Sequence, residues 1–346
     1  MDSILIAGGA GYVGSHTGLF LARKGYHVIL VDIKSLSADS FPWATYFCAN
    51  IVDSELIAWL CRAYRVVCVI HCAGFIEVGA SVRDPLHCYA NNVADTIQFL
   101  KTIILSDIKR CIFSSSAAVY GPPYDVCLAE NHSISPLSPY GMSKAMVENI
   151  LAHSTAAHNF SAIALRYFNV AGAVPGSGLS ENHDPETHLI PLIMRALMEK
   201  KEFVVFGSDY DTDDGTCMRD FVHVWDVAAM HYRAIQYLHK QDGGKFLVCN
   251  VGTGNGFSVK NIVAEIERVT RLTVNLRWCA RRKGDPARLV ADPSQAEGIF
   301  QWKPVYSAIS TIVETAVYTH DGLFSPIFEK NKEIIEIVKA RMLELM

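Results

Sequence analysis

The sequence of 346 residues has few charged side chains and no excess of positive charge. Lysine and arginine total 31, aspartate and glutamate total 35, and the formal net charge is −4. Binding to a nucleic-acid backbone requires clustered positive charge, so the composition argues against a nucleic-acid partner. Half of the residues are hydrophobic and only 19% are charged, which excludes an intrinsically disordered chain.

The sequence also lacks paired cysteines and an uninterrupted apolar run. Its ten cysteines are scattered, without any Cys-X-X-Cys pair. Such a pattern favours reduced thiols over disulfides. The uncharged stretch at residues 3–22 contains five glycines and has no basic segment before it, unlike a signal peptide or a membrane span. We therefore predict a cytoplasmic protein with no membrane association and no metal site.

What is present is an alternation of short apolar runs and helix-like segments. Strands are predicted at residues 3–7, 27–32, 45–48, 66–71, 110–114 and 161–167, and helices at 12–24, 54–64 and 85–105. The VVCVI run at residues 66–70 is apolar on both faces, as in a buried parallel strand. This alternation predicts an α/β fold, a Rossmann-type doubly wound parallel sheet.

The predicted domains follow from where this pattern weakens. We assign residues 1–175 to the doubly wound sheet, with a return segment near 222–252. Residues 176–330 form a smaller mixed α/β domain, and 331–346 form a C-terminal helix. Residues 171–188 are rich in glycine, proline and serine, which predicts a long loop of the kind that often carries function.

A glycine-rich turn follows the first predicted strand. The sequence GGAGYVG at residues 8–14 opens a helix, whose free N–H groups and positive dipole end suit a pyrophosphate. Asp32 ends the second strand, where a carboxylate accepts hydrogen bonds from a ribose 2′-hydroxyl and repels a 2′-phosphate. Together these features predict a binding site for NAD in preference to NADP.

A tyrosine and a lysine share one face of a later predicted helix. Tyr140 and Lys144 are four residues apart, and a nearby ammonium favours the phenolate, so we expect Lys144 to lower the pKa of Tyr140. A tyrosine tuned in this way is a general acid or base near neutral pH. The serines at residues 114–116 follow a strand and lie where parallel sheets bind ligands.

These residues stand within longer motifs that resemble the extended short-chain dehydrogenase/reductase family. The motifs are AGGAGYVGSHT, HCAGFIEVGASV, FSSSAAVYG, SPYGMSK, RYFNVAGA, ETHLIPLI and GTCMRDFVHV, and the last two are typical of its nucleotide-sugar epimerases. The resemblance implies that a bound NAD contacts Gly8, Gly11, Tyr12, Val13, Gly14, Asp32, Asn50, Ile51, Cys72, Ala73, Gly74, Asn91, Ser114, Tyr140, Lys144, Tyr167 and Phe168. It implies that a UDP-sugar contacts Ser116, Asn169, His188, Leu189, Val204, Phe206, Arg219, Phe221, Arg282, Asp285 and Leu289.

The resemblance further implies a reaction and the residues that perform it. Ser116, Tyr140 and Lys144 would be catalytic in the C4′ epimerisation of UDP-glucose and UDP-galactose, which serves galactose metabolism. The alternatives are UDP-N-acetylglucosamine, UDP-xylose or arabinose, or UDP-glucuronate as substrate, and a non-catalytic NAD-binding relative. Ala117 and Ala118 stand where dehydratases and decarboxylases of the family carry acidic residues, which argues against both of those reactions.

The resemblance also suggests a homodimer. Family members often associate through two helices, represented here by residues 85–105 and 138–153. The apolar stripes on these helices are equally compatible with packing on the sheet of the same chain.

Overall fold

The computed structural model describes residues 2–122, 127–241, 243–282 and 285–319. The strands are β1 (Ser3–Ala7), β2 (His27–Asp32), β3 (Thr45–Cys48), β4 (Val66–His71), β5 (Arg110–Ser116), β6 (Ser161–Tyr167), β7 (Asn169–Ala171), β8 (Phe203–Phe206), β9 (Met218–His223), β10 (Phe246–Val251), β11 (Gly256–Ser258), β12 (Leu276–Cys279) and β13 (Arg288–Leu289). The C-terminal helix predicted at 331–346 lies outside the described residues.

The helices connect these strands on both faces of the main sheet and around a second region. They are α1 (Tyr12–Arg23), α2 (Ser54–Ala63), α3 (Val78–Arg83), α4 (Pro85–Tyr89), α5 (Asp95–Leu105), α6 (Pro139–Ala157), α7 (Leu189–Glu199), α8 (Val224–His239), α9 (Val259–Thr270), α10 (Ser294–Phe300) and α11 (Ile309–Thr319). Among the described residues, none of these helices combines the length and the hydrophobicity that crossing a bilayer requires.

The main sheet has seven parallel strands in the order β10-β6-β5-β4-β1-β2-β3. Its side chains alternate between two cores: Ile4 and Ile6 pack on one face, and Leu5 and Ala7 on the other. The fold class predicted from the alternating strands and helices is confirmed. The strand order changes direction at β1, because β2 and β3 lie on one side of it and β4, β5 and β6 on the other. This switch point leaves a crevice at the carboxyl ends of β1 and β4, where such sheets bind ligands.

A smaller mixed region packs beside this crevice. Strand β9 pairs with β7 and β13 in parallel and with β11 in antiparallel fashion, and β8 pairs with β12. Helices α7, α9 and α11 bury their apolar faces against one another and against these strands. Strand β10 returns to the edge of the main sheet beside β6 after α8 has packed against α1.

The helix predicted at residues 85–105 is interrupted. A π-helical turn at Ala90–Ala94 separates α4 from α5, which is a departure that hydrophobic periodicity does not reveal. The turn carries Asn91 and Asn92, and the side-chain oxygens of both accept from the Phe75 N–H, at 2.8 and 2.6 Å. The interruption therefore fixes the chain segment that follows β4 at the mouth of the crevice.

Candidate active site

The turn between β1 and α1 can be made only by glycine at two of its positions. Gly8 has a φ of +76°, and a Cβ there would stand 2.5 Å from the backbone nitrogen of Ala73. A Cβ on Gly14 would lie 2.2 Å from the Gly8 carbonyl oxygen. Helix α1 has no side-chain cap and no acidic residue in its first turn, so its N–H groups and positive dipole end are available to an anion.

Asp32 ends β2 beside this turn and is held in a fixed orientation. Its Oδ2 accepts from the Ala10 N–H at 3.0 Å, and its Oδ1 accepts from the Lys34 N–H at 3.1 Å. The residue is buried, yet it lines the crevice. A carboxylate placed in this way keeps free lone pairs for the hydroxyl groups of a ligand.

A first cavity of about 790 Å³ occupies the crevice. Most of the residues predicted to contact NAD line it: Gly8, Gly11, Tyr12, Val13, Gly14, Asp32, Asn50, Ile51, Cys72, Ala73, Gly74, Asn91, Tyr140, Tyr167 and Phe168. Ser116 and Leu289, which were predicted to contact the UDP-sugar, line it as well. The structure thus brings together, at one sheet edge, residues that are as far apart as 8 and 289 in the chain.

Lys144 and Ser114 lie behind the wall of the first cavity. The Lys144 Nζ donates to the Ser114 carbonyl oxygen at 2.9 Å and lies 4.8 Å from the centroid of the Phe113 ring. Burial lowers the pKa of Lys144 to about 8. Ser114 Oγ is hydrogen-bonded to Cys72 and to the Tyr167 hydroxyl, at 3.1 and 3.0 Å. In this structure both residues support the wall.

Tyr140 enters the first cavity from the first turn of α6. The Ser138 hydroxyl caps this helix by accepting from the Gly141 N–H at 3.1 Å, and the Tyr140 N–H donates to Ser81 Oγ at 3.2 Å. Burial raises the pKa of the Tyr140 phenol above its ordinary value, and a hydrogen bond with Ser116 opposes this rise.

The prediction that Lys144 lowers the pKa of Tyr140 is therefore wrong for this structure. The Lys144 Nζ lies 5.8 Å from the centroid of the tyrosine ring and is directed to the Ser114 carbonyl. The sequence spacing put both residues on one helical face, but it did not reveal how deeply the phenol is buried. Burial is the dominant cause of the shift, and the hydrogen bond from Ser116 is the contact that works against it.

A second cavity of about 540 Å³ adjoins the first. It is lined by the remaining residues predicted to contact a UDP-sugar: His188, Leu189, Val204, Phe206, Arg219, Phe221, Arg282 and Asp285. Asn169 and His188 line both cavities, so the two spaces meet at these side chains. Arg195 also lines the second cavity, and no sequence motif indicated it.

The two predicted arginines of the second cavity are held differently. Arg219 forms an ion pair with Asp285, and its Nη1 donates to the Pro286 carbonyl oxygen at 3.0 Å. The Arg282 guanidinium lies 4.1 Å from the centroid of the Phe206 ring and forms no ion pair with a described residue. Arg282 is consequently the arginine whose donors remain available to a phosphate.

Sequence reasoning missed a group of side chains in the loop between β7 and α7. Glu181 and His183 line the first cavity beside His188, and Glu186 contacts both histidines. Only His188 of this group carried a prediction. The other three are recognisable in the sequence solely by the spacing Glu-X-His-X-X-Glu-X-His at residues 181–188.

Comparison with known proteins gives concordant results. Residues 4–252 match the NAD dependent epimerase/dehydratase family. The chain is 39% identical over 321 residues to the UDP-glucose 4-epimerase of Halalkalibacterium halodurans, covering 92% of this chain and 95% of the relative. It superimposes on the UDP-glucose 4-epimerase of Brucella ovis in complex with NAD, with a TM-score of 0.88 and 40% identity over 93% of this chain and 99% of that one.

A second solved structure combines both kinds of ligand. The UDP-glucose 4-epimerase of Bifidobacterium longum, in complex with NAD⁺ and UDP, has a TM-score of 0.82 and 33% identity, and the alignment covers 93% of this chain and 98% of that chain. The similarity extends over both regions of the fold, including the segments that line the two cavities.

Proposed function

The chain belongs to the NAD dependent epimerase/dehydratase family, and from this premise we propose that it is an NAD-dependent UDP-glucose 4-epimerase. It interconverts UDP-glucose and UDP-galactose by inverting C4′ of the sugar. The observation that carries this conclusion is the junction of two cavities, one shaped by a dinucleotide-type glycine turn and the other lined by arginines. A similar UDP-glucose 4-epimerase has been solved in complex with NAD⁺ and UDP, one ligand suited to each cavity.

The first cavity fits the cofactor. The glycine turn leaves no room for a Cβ, the N-terminus of α1 is uncapped, and Asp32 offers a carboxylate to a ribose. NAD held by these residues would supply the hydride acceptor and donor that inversion at C4′ requires. The chain itself supplies position, water exclusion and proton transfer.

Tyr140 and Ser116 form the proton-handling pair at the junction. As the C4′ hydroxyl is oxidised, its proton must pass to a base, and Tyr140 is the titratable hydroxyl that lines the cavity and is hydrogen-bonded to Ser116. The serine hydroxyl can donate to the phenolate and so stabilise the charged form. Because burial disfavours that form, the hydrogen bond from Ser116 is part of what makes Tyr140 usable as a base.

The second cavity holds the nucleotide part of the substrate in this proposal. Arg282 is free to bind a diphosphate oxygen, and Arg219, fixed by Asp285 and by the Pro286 carbonyl, supplies a second positive charge to the same wall. Phe206 and Phe221 offer apolar surface for a base. Asn169, at the meeting point of the cavities, is placed to contact the sugar.

The substrate assignment is tested by product analysis. Purified protein incubated separately with UDP-galactose, UDP-N-acetylgalactosamine, UDP-xylose and UDP-glucuronate should convert the first of these most efficiently, as measured by kcat/KM. Separation of the UDP-sugars by chromatography identifies each C4′ epimer. A higher kcat/KM for any of the other three substrates would contradict the assignment.

Retention of the cofactor is a separate test. We expect the purified protein to carry NAD without any added, because each turnover regenerates the oxidised form on the same molecule. Gly14→Ala should lower this occupancy, since the new Cβ would collide with the Gly8 carbonyl. Gly298→Ala in α10 is the matched control, because a Cβ there meets nothing within 4 Å. Equal NAD content in the two variants, measured after acid extraction, would contradict the assigned site.

We further propose a homodimer of a cytoplasmic enzyme. Leu86 and Ile97, in the segment 85–105, expose 78% and 48% of their surface, and Met142 and Met146 on α6 are also exposed. Exposed apolar side chains on neighbouring helices are typical of a protein–protein interface. Light scattering should give a dimer mass for the wild type and a monomer mass for Met146→Glu.

The proposed cytoplasmic location has separate support. All ten cysteines are unpaired, which suits a reducing compartment.

A further inference from the structure

Four side chains of the loop between β7 and α7 converge on one point. Glu181, His183, Glu186 and His188 each direct one potential ligand atom into a space where all four atoms lie within 4.8 Å of one another. None of the four belongs to the glycine turn or to the Tyr140–Ser116 pair, although Glu181, His183 and His188 line the same cavity. Among the described residues, these four are the histidine, cysteine and carboxylate side chains that lie close enough together, in a set of three or more, to hold a metal ion.

The histidine–carboxylate separations in this group are close to those of tetrahedral coordination. His183 Nδ1 lies 3.9 Å from Glu181 Oε1 and 3.5 Å from Glu186 Oε2. His188 Nδ1 lies 3.3 Å from Glu181 Oε1 and 3.1 Å from Glu186 Oε1. Zinc–nitrogen and zinc–oxygen bonds of 2.0–2.2 Å place neighbouring ligands of a tetrahedron roughly 3.3–3.6 Å apart. The observed separations bracket that range, so an ion could be accommodated with small side-chain movements.

Burial and charge also indicate a cation at this point. The side chains of Glu181 and Glu186 are only 7% and 2% exposed, although both are acidic. The ion-pair partners of both carboxylates among the described residues are the two histidines. His183 Nδ1 is itself buried and forms no hydrogen bond with a described residue. Two buried carboxylates and a buried ring nitrogen, which approaches them without a hydrogen bond of good geometry, are well matched to a divalent ion.

The backbone supports one of these carboxylates as it would support a metal ligand. Glu186 Oε1 accepts from the Thr187 and His188 N–H groups at 2.7 and 2.8 Å, which fixes the carboxylate while Oε2 faces His183. Carboxylates that bind metals are characteristically hydrogen-bonded in this way. Hydrogen bonding alone satisfies His188 through Glu186, whereas His183 Nδ1 has only the 3.5 Å contact with Glu186 Oε2 and no hydrogen bond with a described residue.

We propose that Glu181, His183, Glu186 and His188 bind one divalent transition-metal ion, with Zn²⁺ as the best match. Two imidazole nitrogens disfavour Mg²⁺ and Ca²⁺, which prefer oxygen ligands. Four protein ligands leave no open position, so the ion is structural and does not take part in hydride or proton transfer. It would fasten the loop at residues 172–188 and hold His188 where the two cavities meet.

The sequence analysis predicted no metal site, and the reason is physical. The four ligands lie within eight residues of a loop that has no periodic pattern, and their spacing differs from the common cysteine and histidine signatures of zinc sites. Only the folded loop brings residues 181 and 183 opposite 186 and 188. The proposal does not depend on which UDP-sugar the enzyme accepts.

The test uses the purified full-length protein after removal of metal with a chelator and dialysis. Zinc titrated into this protein should bind with one equivalent per chain, measured by calorimetry and by elemental analysis after desalting. Loss of a residue that only supports a metal ligand weakens metal binding roughly 10–100-fold. Glu181→Gln and His183→Ala each remove a proposed ligand, so each should weaken zinc binding by more than that. His158→Ala is the control, because His158 is exposed and lies after α6, and it should bind zinc like the wild type.

Cobalt identifies the ligands independently of activity. Co²⁺ in the proposed site should give the visible absorption of a tetrahedral complex without the near-ultraviolet band of thiolate ligation. A thiolate band would place the metal on exposed cysteines such as Cys48 and would overturn the proposal. Zinc binding that is absent, or that is unchanged in both Glu181→Gln and His183→Ala, would overturn it too. In that case the cluster is a hydrogen-bonded group only.

Discussion

The two cavities are built in different ways from the same chain. The first is lined largely by short segments that each follow a strand of the parallel sheet, at residues 8–14, 32–34, 72–76 and 115–118. The second is assembled from α7, β8, β9 and the segment around Arg282, which share no common sheet edge. One cavity therefore follows from a repeated topological rule, and the other depends on how distant elements pack.

The chemical character of the cavities differs in parallel. The first offers a glycine turn, a helix N-terminus and one oriented carboxylate, whereas the second offers arginines and aromatic rings. They share Asn169 and His188, and our proposal places the reacting sugar near this junction. If this division is real, substitutions should separate into effects on cofactor, on chemistry and on nucleotide binding.

The largest expected effect is at the junction. Tyr140→Phe removes the proposed base, and kcat should fall by roughly two to four powers of ten, the usual contribution of general acid–base catalysis. NAD content and the Kd for UDP should change little, because the aromatic ring is kept. Steady-state kinetics and UDP titration measure the two quantities.

Tyr64→Phe is the matched control, since Tyr64 follows α2 and lines neither cavity. It should retain full turnover. A Tyr140→Phe enzyme within a few-fold of the wild-type kcat would assign the base to another residue and would break the proposed division at its centre.

Lys144→Met tests the wall behind the first cavity and should separate stability from activity. Burial lowers the pKa of Lys144 from 10.5 to about 8, which corresponds to about 3 kcal/mol of stability lost at roughly 1.4 kcal/mol per pKa unit. Without NAD, the free energy of unfolding of the variant should therefore be higher than that of the wild type at pH 7. With NAD, its turnover should be lower than that of the wild type.

The pH dependence of this difference follows from the direction of the shift. Between pH 8 and pH 10.5 the unfolded chain binds the lysine proton more tightly than the folded chain, so wild-type stability from this group rises with pH. The advantage of the variant is complete below pH 8 and disappears toward pH 10.5. Denaturant unfolding at several pH values measures it, and a variant less stable than the wild type at pH 7 would contradict the cost assigned to burial.

In the second cavity, Arg282→Met should impair nucleotide binding alone. A hydrogen bond to a charged group contributes about 1.5–3 kcal/mol, so the KM for UDP-galactose should rise roughly 10–100-fold with NAD content unchanged. Arg281→Met is a close control, because Arg281 pairs with Asp209 and stacks on Tyr210 outside the cavity lining. Equal KM values for the two variants would remove Arg282 from the phosphate site.

The contrast between the cavities explains what the sequence could predict. Residues 8–14 and Asp32 form a local pattern whose meaning depends only on a strand, a turn and a helix, and the predicted fold class was confirmed. For the second cavity, the assignments at Arg219 and Arg282 came from family resemblance. No periodicity connects α7 and β9 to the segment that contains Arg282, so Arg195 on α7, which lines the same cavity, carried no signal.

Properties that depend on burial were beyond the sequence. The spacing of Tyr140 and Lys144 placed them on one face, but the predicted direction of the tyrosine pKa shift was wrong, because burial of the phenol is the largest cause and raises its pKa. The π-helical turn at Ala90–Ala94 left the apolar stripe intact and was therefore predicted as continuous helix. The side-chain cluster of the 172–188 loop forms only when the loop folds, and the loop has no periodic pattern that would reveal it.

The smallest expected effect tests one side chain in the wall of the first cavity, Leu289. Leu289 belongs to the two-residue strand β13, lines the first cavity and packs against the cluster that contains Ala117 and Phe168. A larger side chain there would reduce the space for a substituent on the sugar. Small groups in such pockets contribute about 1–3 kcal/mol, so Leu289→Tyr should lower kcat/KM for UDP-N-acetylgalactosamine roughly tenfold more than for UDP-galactose.

Because β13 is short and paired with β9 beside Arg219, the variant must also be shown to retain the wild-type unfolding temperature. Steady-state kinetics on both sugars give the ratio. A ratio unchanged from that of the wild type would mean that Leu289 lines the cavity without selecting the sugar substituent.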